Sequence, residues 1–220
     1  MKKGIIVLLL LTVLLAIPTL NVLGADKVNV EALMRETVRT LEENKESGML
    51  WWMPEEMWSA VLSDGEAQTP EVEAATESML KIFRPYNVFL INSGKSGFLG
   101  VIKYKTEKEI RSSIILRDVQ GSTCTPLMQS ELDPRLIDFM NLFKEVMSQG
   151  GLRYRRFSKN SFFMVFPGRS QDGQQLIDPR GMGSFTVQLE EKLFRWDLPL
   201  KSLPPLPAPA AAAEATPPPA

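Results

Sequence analysis

The chain has 220 residues, 44% hydrophobic and 23% charged, and its 25 basic and 26 acidic residues leave a formal net charge of −1. It contains no histidine, which excludes histidine triads, imidazole metal sites and a histidine general base. The single cysteine, Cys124, excludes an intrachain disulfide, and the charge balance provides no general attraction to nucleic acid.

Met1-Lys2-Lys3 precedes an apolar run from Ile5 to Ile17, then Pro18 and Val22-Leu23-Gly24-Ala25. A basic start, an apolar centre and a small-residue end describe a signal peptide over residues 1–24, cut before Ala25 or Asp26. The competing reading is a retained anchor, since Gly4 to Leu23 is about the 20 residues that cross a bilayer. Pro18 and Asn21 weigh against it. Cleavage removes Lys2 and Lys3, leaving 23 basic and 26 acidic residues, a net charge of −3. The mature chain is expected in the periplasm or secreted, with no stable membrane span.

Residues 25–203 are expected to form a single α+β domain. Asn29 is placed to cap a helix from Val30 to about Lys45, with Val30, Leu33, Met34, Val38 and Leu41 on one face. Pro54-Glu55-Glu56 marks the first turn of a second helix running to about Leu62, and Thr69-Pro70-Glu71 opens a third that Pro85 ends. From Tyr86 the period changes, and Tyr86–Ile91, Phe98–Lys105 and Ile110–Val119 read as a three-stranded antiparallel meander. Asp133-Pro134 starts a helix carrying Leu136, Met140, Phe143 and Met147, which stops at Gly150-Gly151.

A short strand Leu152–Phe157, a strand Phe162–Pro167 and a hairpin of Ser184–Leu189 with Phe194–Leu200 follow, with Phe185, Val187 and Leu189 facing the core. Between Gly168 and Gly183 lies a polar loop of about 15 residues, long enough to be functional or mobile. Residues 204–220, Pro/Ala-rich with one charge, read as a disordered tail. The expected fold is an antiparallel sheet of about six strands with helices packed on one face.

Trp51, Trp52 and Trp58 place three of the four tryptophans within eight residues. Such rings either lock the second helix onto the sheet or stack on a ligand or partner. Met49, Met53 and Met57, spaced by four, could present thioethers to Cu(I), but Pro54 interrupts the helix that would align them. Arg153, Tyr154, Arg155 and Arg156 interleave charge and aromaticity, a pattern suited to an anionic glycan, a lipid headgroup or an acidic protein surface, or to a solvated strand edge.

Gly94-Lys95-Ser96 lacks the glycine five residues earlier that a phosphate-binding loop needs, since position 89 is Phe89, and reads as a hairpin turn. Glu55 and Glu56 point about 100° apart on a helix, so they do not flank one scissile bond. Asp118, Asp133, Asp172 and Asp178, or a Ser-Lys pair using Ser96 or Ser161, remain candidates for a hydrolase. The leading expectation is a non-enzymatic binding protein of the cell envelope, without cofactor or metal, contacting an envelope protein, glycan or lipid through Trp51, Trp52, Trp58 and Arg153–Arg156. The alternatives are a carboxylate- or serine-based hydrolase and a carrier of lipid or another apolar ligand.

Overall fold

Asn29 does cap the first helix: its Oδ1 accepts the Ala32 N–H at 3.0 Å. The structure, a computed structural model, describes residues 28–43, 45–63, 69–97, 101–149 and 157–204. The expected signal peptide, nearly all of the tail, and Arg153, Tyr154, Arg155 and Arg156 lie outside the described residues.

Helix α1 spans only Val30–Thr37, and Val38–Glu43 forms strand β1 instead of continuing to Lys45. The cause is pairing: β1 lies antiparallel to β2, Glu46–Met53, in register from Val38↔Trp51 to Glu43↔Glu46. Pairing and the burial of Leu41 outweigh a helix preference worth only tenths of a kcal/mol per residue, roughly.

Helices α2 (Glu55–Ser63) and α3 (Pro70–Phe83) follow as expected, the latter capped by Thr69 Oγ1. Strand β3 runs from Tyr86 to Ser96 and β4 from Ile102 to Tyr104. Gly94-Lys95-Ser96 is therefore strand, not turn. Its glycine permits close pairing, because a Cβ there would stand 2.7 Å from Ile102 Cγ2. The third strand of the expected meander is half helix: α4 covers Glu107–Ser113, started by a Thr106–Glu109 capping box, and β5 is only Ile114–Arg117. Strand β6 (Thr123–Cys124), a 3₁₀ turn (Gln129–Glu131), α5 (Pro134–Gln149), β7 (Phe162–Pro167), β8 (Gly183–Leu189) and β9 (Lys192–Leu198) complete the order.

The protein is α+β with antiparallel sheets, but the strands divide into two sheets instead of one of six. Sheet A has the order β1-β2-β3, with β4 and β7 sharing the far edge of β3, and sheet B has the order β6-β5-β8-β9. The reason is where β5 goes: it leaves β4 and pairs with β8, Ile114 opposite Leu189.

Sheet A lies between sheet B and a helical layer. In β3, Phe89 and Ile91 face sheet B while Val88 and Leu90 face the helices, and in β7 Met164 and Phe166 oppose Phe163 and Val165 in the same way. A strand buried on both faces loses polar alternation, which explains these unbroken apolar runs. The inter-sheet core adds Leu50, Trp52, Phe185, Val187 and Trp196; the helix-side core adds Trp58, Phe83, Phe139, Met140 and Phe143. Helices α2, α3 and α5 supply that second core, whereas Leu33 of α1 and Ile110 of α4 join the first.

The edges are closed by specific contacts. Leu127 N–H donates to Val165 O on the outer edge of β7, at 2.8 Å. On the opposite side Arg39 Nε donates to Arg195 O at 2.9 Å, and its guanidinium lies 5.0 Å from the Trp196 ring centroid. Glu36 accepts hydrogen bonds from the Lys201 and Ser202 N–H groups and the Ser202 hydroxyl, fixing the chain after β9 to α1.

Candidate functional site around the tryptophan segment

Residues 51–58 join the end of β2 to the start of α2, so consecutive side chains are sent to different layers. Trp52 enters the inter-sheet core at 1% exposure, its ring edge-on to Phe185 with centroids 4.8 Å apart. Trp58, at 2%, stacks on Phe83 at 4.8 Å and meets Phe139 edge-on at 5.0 Å. Neither ring presents a face to solvent. Burying about 200 Å² of indole corresponds to roughly 5 kcal/mol each as an upper value, so both rings are major contributors to stability. Trp51 is half-buried, opposite Val38 and Leu90, and touches both cores.

The methionines separate in the same way. Met53 packs on the helix side and Met57 between the sheets, so the two thioethers sit in different cores. Among the described residues no group of three or more His, Cys, Asp or Glu side chains is arranged to hold a metal ion.

The same segment contains the polar groups left without partners. The indole N–H groups of Trp51, Trp52 and Trp58, Glu56 Oε2 and Arg180 Nε are the buried side-chain polar atoms with no hydrogen bond among the described residues. Trp196 differs, donating to Thr37 O at the end of α1 at 2.9 Å. Native interiors rarely leave such groups unpaired, so their concentration in residues 51–58 and the side chain that pairs with Glu56 sets this region apart.

Pro54 opens α2, with its carbonyl accepting the Met57 N–H at 3.0 Å. Glu56 turns inward and its Oε1 accepts a hydrogen bond from Arg180 Nη1, and both side chains are mostly buried. Burial pushes the Glu56 carboxyl above its ordinary range; its own backbone N–H and Arg180 pull the other way and only partly offset this. Arg180 reaches it from the loop between β7 and β8, which is well anchored. Ile177 is in the core, Asp178 Oδ1 accepts the Arg180 N–H at 2.9 Å, and Leu200 N–H donates to Pro179 O at 2.8 Å.

The other acids each serve their own turn. Asp118 Oδ1 accepts the Gln120 and Ser122 N–H groups at 2.9 and 2.8 Å. Asp133 accepts from Arg135, whose hydrogen bonds hold its carboxyl down to about 2. Asp172 accepts from Ser170 within its loop. The Ser161 hydroxyl is fully buried and donates to Phe157 O at 2.7 Å, and Ser96 ends β3 with its N–H on Lys45 O. Cys124 is half-buried, and burial with the nearby Asp118 charge pushes its thiol up to about 11, which disfavours the thiolate.

Sequence patterning identified the tryptophan segment but not Arg180. The only local signal at that position is Asp178-Pro179-Arg180-Gly181, a turn signature that says nothing of a partner in α2. The architecture defines an α+β protein of two antiparallel sheets with a helical layer. No protein-family model, no curated protein and no solved structure matches the chain.

Proposed function

We propose that the chain is an exported, non-enzymatic binding protein of the cell envelope, acting in the periplasm or outside the cell after loss of residues 1–24. The observation that carries this reading is the outer face of sheet B. Sheet A is covered on both sides, by helices and by sheet B, whereas the far side of sheet B carries exposed apolar residues, with Leu193 66% and Ile115 39% accessible. Trp52 and Trp58 are engaged in the cores, so the contact surface is assigned to this face instead of to the tryptophan cluster. The basic start and the apolar run from Ile5 to Ile17 support export.

Fractionation of the source cells with N-terminal sequencing tests the proposal. The expected result is a chain beginning at Ala25 or Asp26 in the periplasmic or secreted fraction. Intact Met1 in the cytosol would overturn export. The second reading, a carboxylate hydrolase, is favoured by Glu56 alone, whose raised pKa and unpartnered Oε2 are properties that acid catalysts share. A broad hydrolase screen is expected to be flat; turnover that Glu56→Gln abolishes would replace the binding reading with the enzymatic one.

A further inference from the structure

We infer that the open face of sheet B docks an acidic, leucine-bearing segment of another protein, an inference that rests on the binding reading above. Strand register aligns two cross-strand rows on that face. Ile115 stands opposite Gln188, which stands opposite Leu193; two residues along, Arg117, Thr186 and Arg195 are aligned in the same way. Each row places a neutral polar residue of β8 between two apolar or two cationic side chains.

A sheet face that meets only water commonly carries Lys and Glu. This one has neither type in its outward positions on β5, β8 and β9. Its single acid is Asp197, which accepts from Arg195 Nε at 2.8 Å along the same strand. Arg117 has no ion-pair partner among the described residues, whereas Arg39 lies at the β9 edge over the inward ring of Trp196, with Asp197 and Glu36 beside it. With Arg195 paired to Asp197, the unpaired charge in these outward positions is the Arg117 guanidinium, which favours an acidic partner.

Spacing narrows the partner. The two rows are two residues apart along a strand, about 6.8 Å, so an extended segment with an acid at one position and a leucine two further on reaches an arginine and the apolar row together. The backbones that carry the two arginines lie two strand spacings apart, about 9.6 Å, and Arg195 is already engaged by Asp197. Alternating acids and leucines meet this pattern without requiring the β5 or β9 backbone to move.

The test is a nuclear magnetic resonance titration of the mature full chain with the capped peptide Leu-Thr-Glu-Thr-Leu-Thr-Glu-Thr and with the same peptide carrying Lys for Glu. The expected result is amide shifts confined to β5, β8 and β9 with the Glu peptide, a response at least about tenfold weaker with the Lys peptide, and about tenfold weakening by Arg117→Glu or Leu193→Ser at unchanged melting temperature. No shift at millimolar peptide, shifts centred elsewhere, or equal responses to the two peptides would overturn it. Sedimentation of the unliganded chain supplies the remaining outcome: a dimer that Leu193→Ser dissolves makes a second copy the occupant and also overturns the inference. Failure of export leaves the titration intact, and a silent titration leaves the N-terminal sequence intact, so the two proposals fail separately.

Discussion

Glu55 and Glu56 are neighbours in the first turn of α2, and the fold places them in opposite electrostatic circumstances. Glu55 faces outward and accepts from Arg84 Nε at 2.8 Å, while Arg84 also holds Glu77 through two hydrogen bonds of 2.7 and 2.9 Å. The three side chains are 34–46% exposed, so water reaches that network. Glu56, turned by about 100°, enters the body against Arg180. Its pKa is raised although an arginine touches it, so removal from water outweighs the attraction. One helical step thus separates a carboxylate that is held at little cost from one that is held at a net cost. An inward pair of this kind is costly to break on one side and dispensable as a whole.

Breaking the pair on one side tests the comparison most strongly. Arg180→Met leaves a buried carboxylate without its cation and is expected to cost about 3–5 kcal/mol at pH 7, read from urea unfolding. Combining it with Glu56→Leu should restore stability to within about 1 kcal/mol of the original chain, because an apolar pair of similar volume needs no compensation. A double variant as unstable as the single one would show that Arg180 contributes through loop packing instead of charge.

Acidity sharpens the same contrast with a smaller effect. The folded-state pKa of Glu56 lies above its ordinary 4.5, so the folded chain binds this proton more tightly than the unfolded chain does. The stability this supplies is fully present below pH 4.5 and is lost as the pH rises through the raised value. Glu77, Glu109 and Asp133 have lowered values, and their contributions run the other way, present at neutral pH and lost on acidification. Urea midpoints of the parent chain minus those of Glu56→Gln, followed upward from pH 4, isolate the Glu56 contribution. The difference should decline as the pH rises; a flat difference would mean that Glu56 is solvated like Glu55.

These circumstances were unequally legible in the sequence. The starts of α1, α2, α3 and α5 were written locally, in Asn29, Pro54, Thr69 and Asp133-Pro134, because a cap acts within three residues. The Thr106-x-x-Glu109 signature of α4 was present as well, but the β-branched residues after it favoured a strand. Strand β1 was hidden because Val38 and Leu41 fit a helical stripe as well as a strand, and only the pairing with β2 decides between them. The division into two sheets depends on β5 meeting β8, some seventy residues later, and no local pattern encodes that choice. The tryptophan cluster was conspicuous, yet whether its rings faced inward depended on layers that are distant in sequence. Arg180 and Glu56 are 124 residues apart, so the pair exists only in the fold.

Arg84→Ala supplies the outward half of the comparison and the smallest effect. The substitution removes three hydrogen bonds to Glu55 and Glu77 at once, more contacts than Arg180 makes with Glu56. A count of contacts would rank it as the more damaging change. Solvation ranks it last, because both carboxylates return to water when the guanidinium leaves, whereas Glu56 would remain inside. The expected loss is well below that of Arg180→Met and should vanish in about 1 M salt, where the Debye length falls to roughly 3 Å. The Arg180→Met deficit should persist in that salt, since ions do not enter the interior. Equal losses, or a salt-insensitive loss at Arg84, would show that the outward network stabilises α2 and α3 by geometry, joining Glu55 of one helix to Glu77 of the next, and not by exposed charge alone.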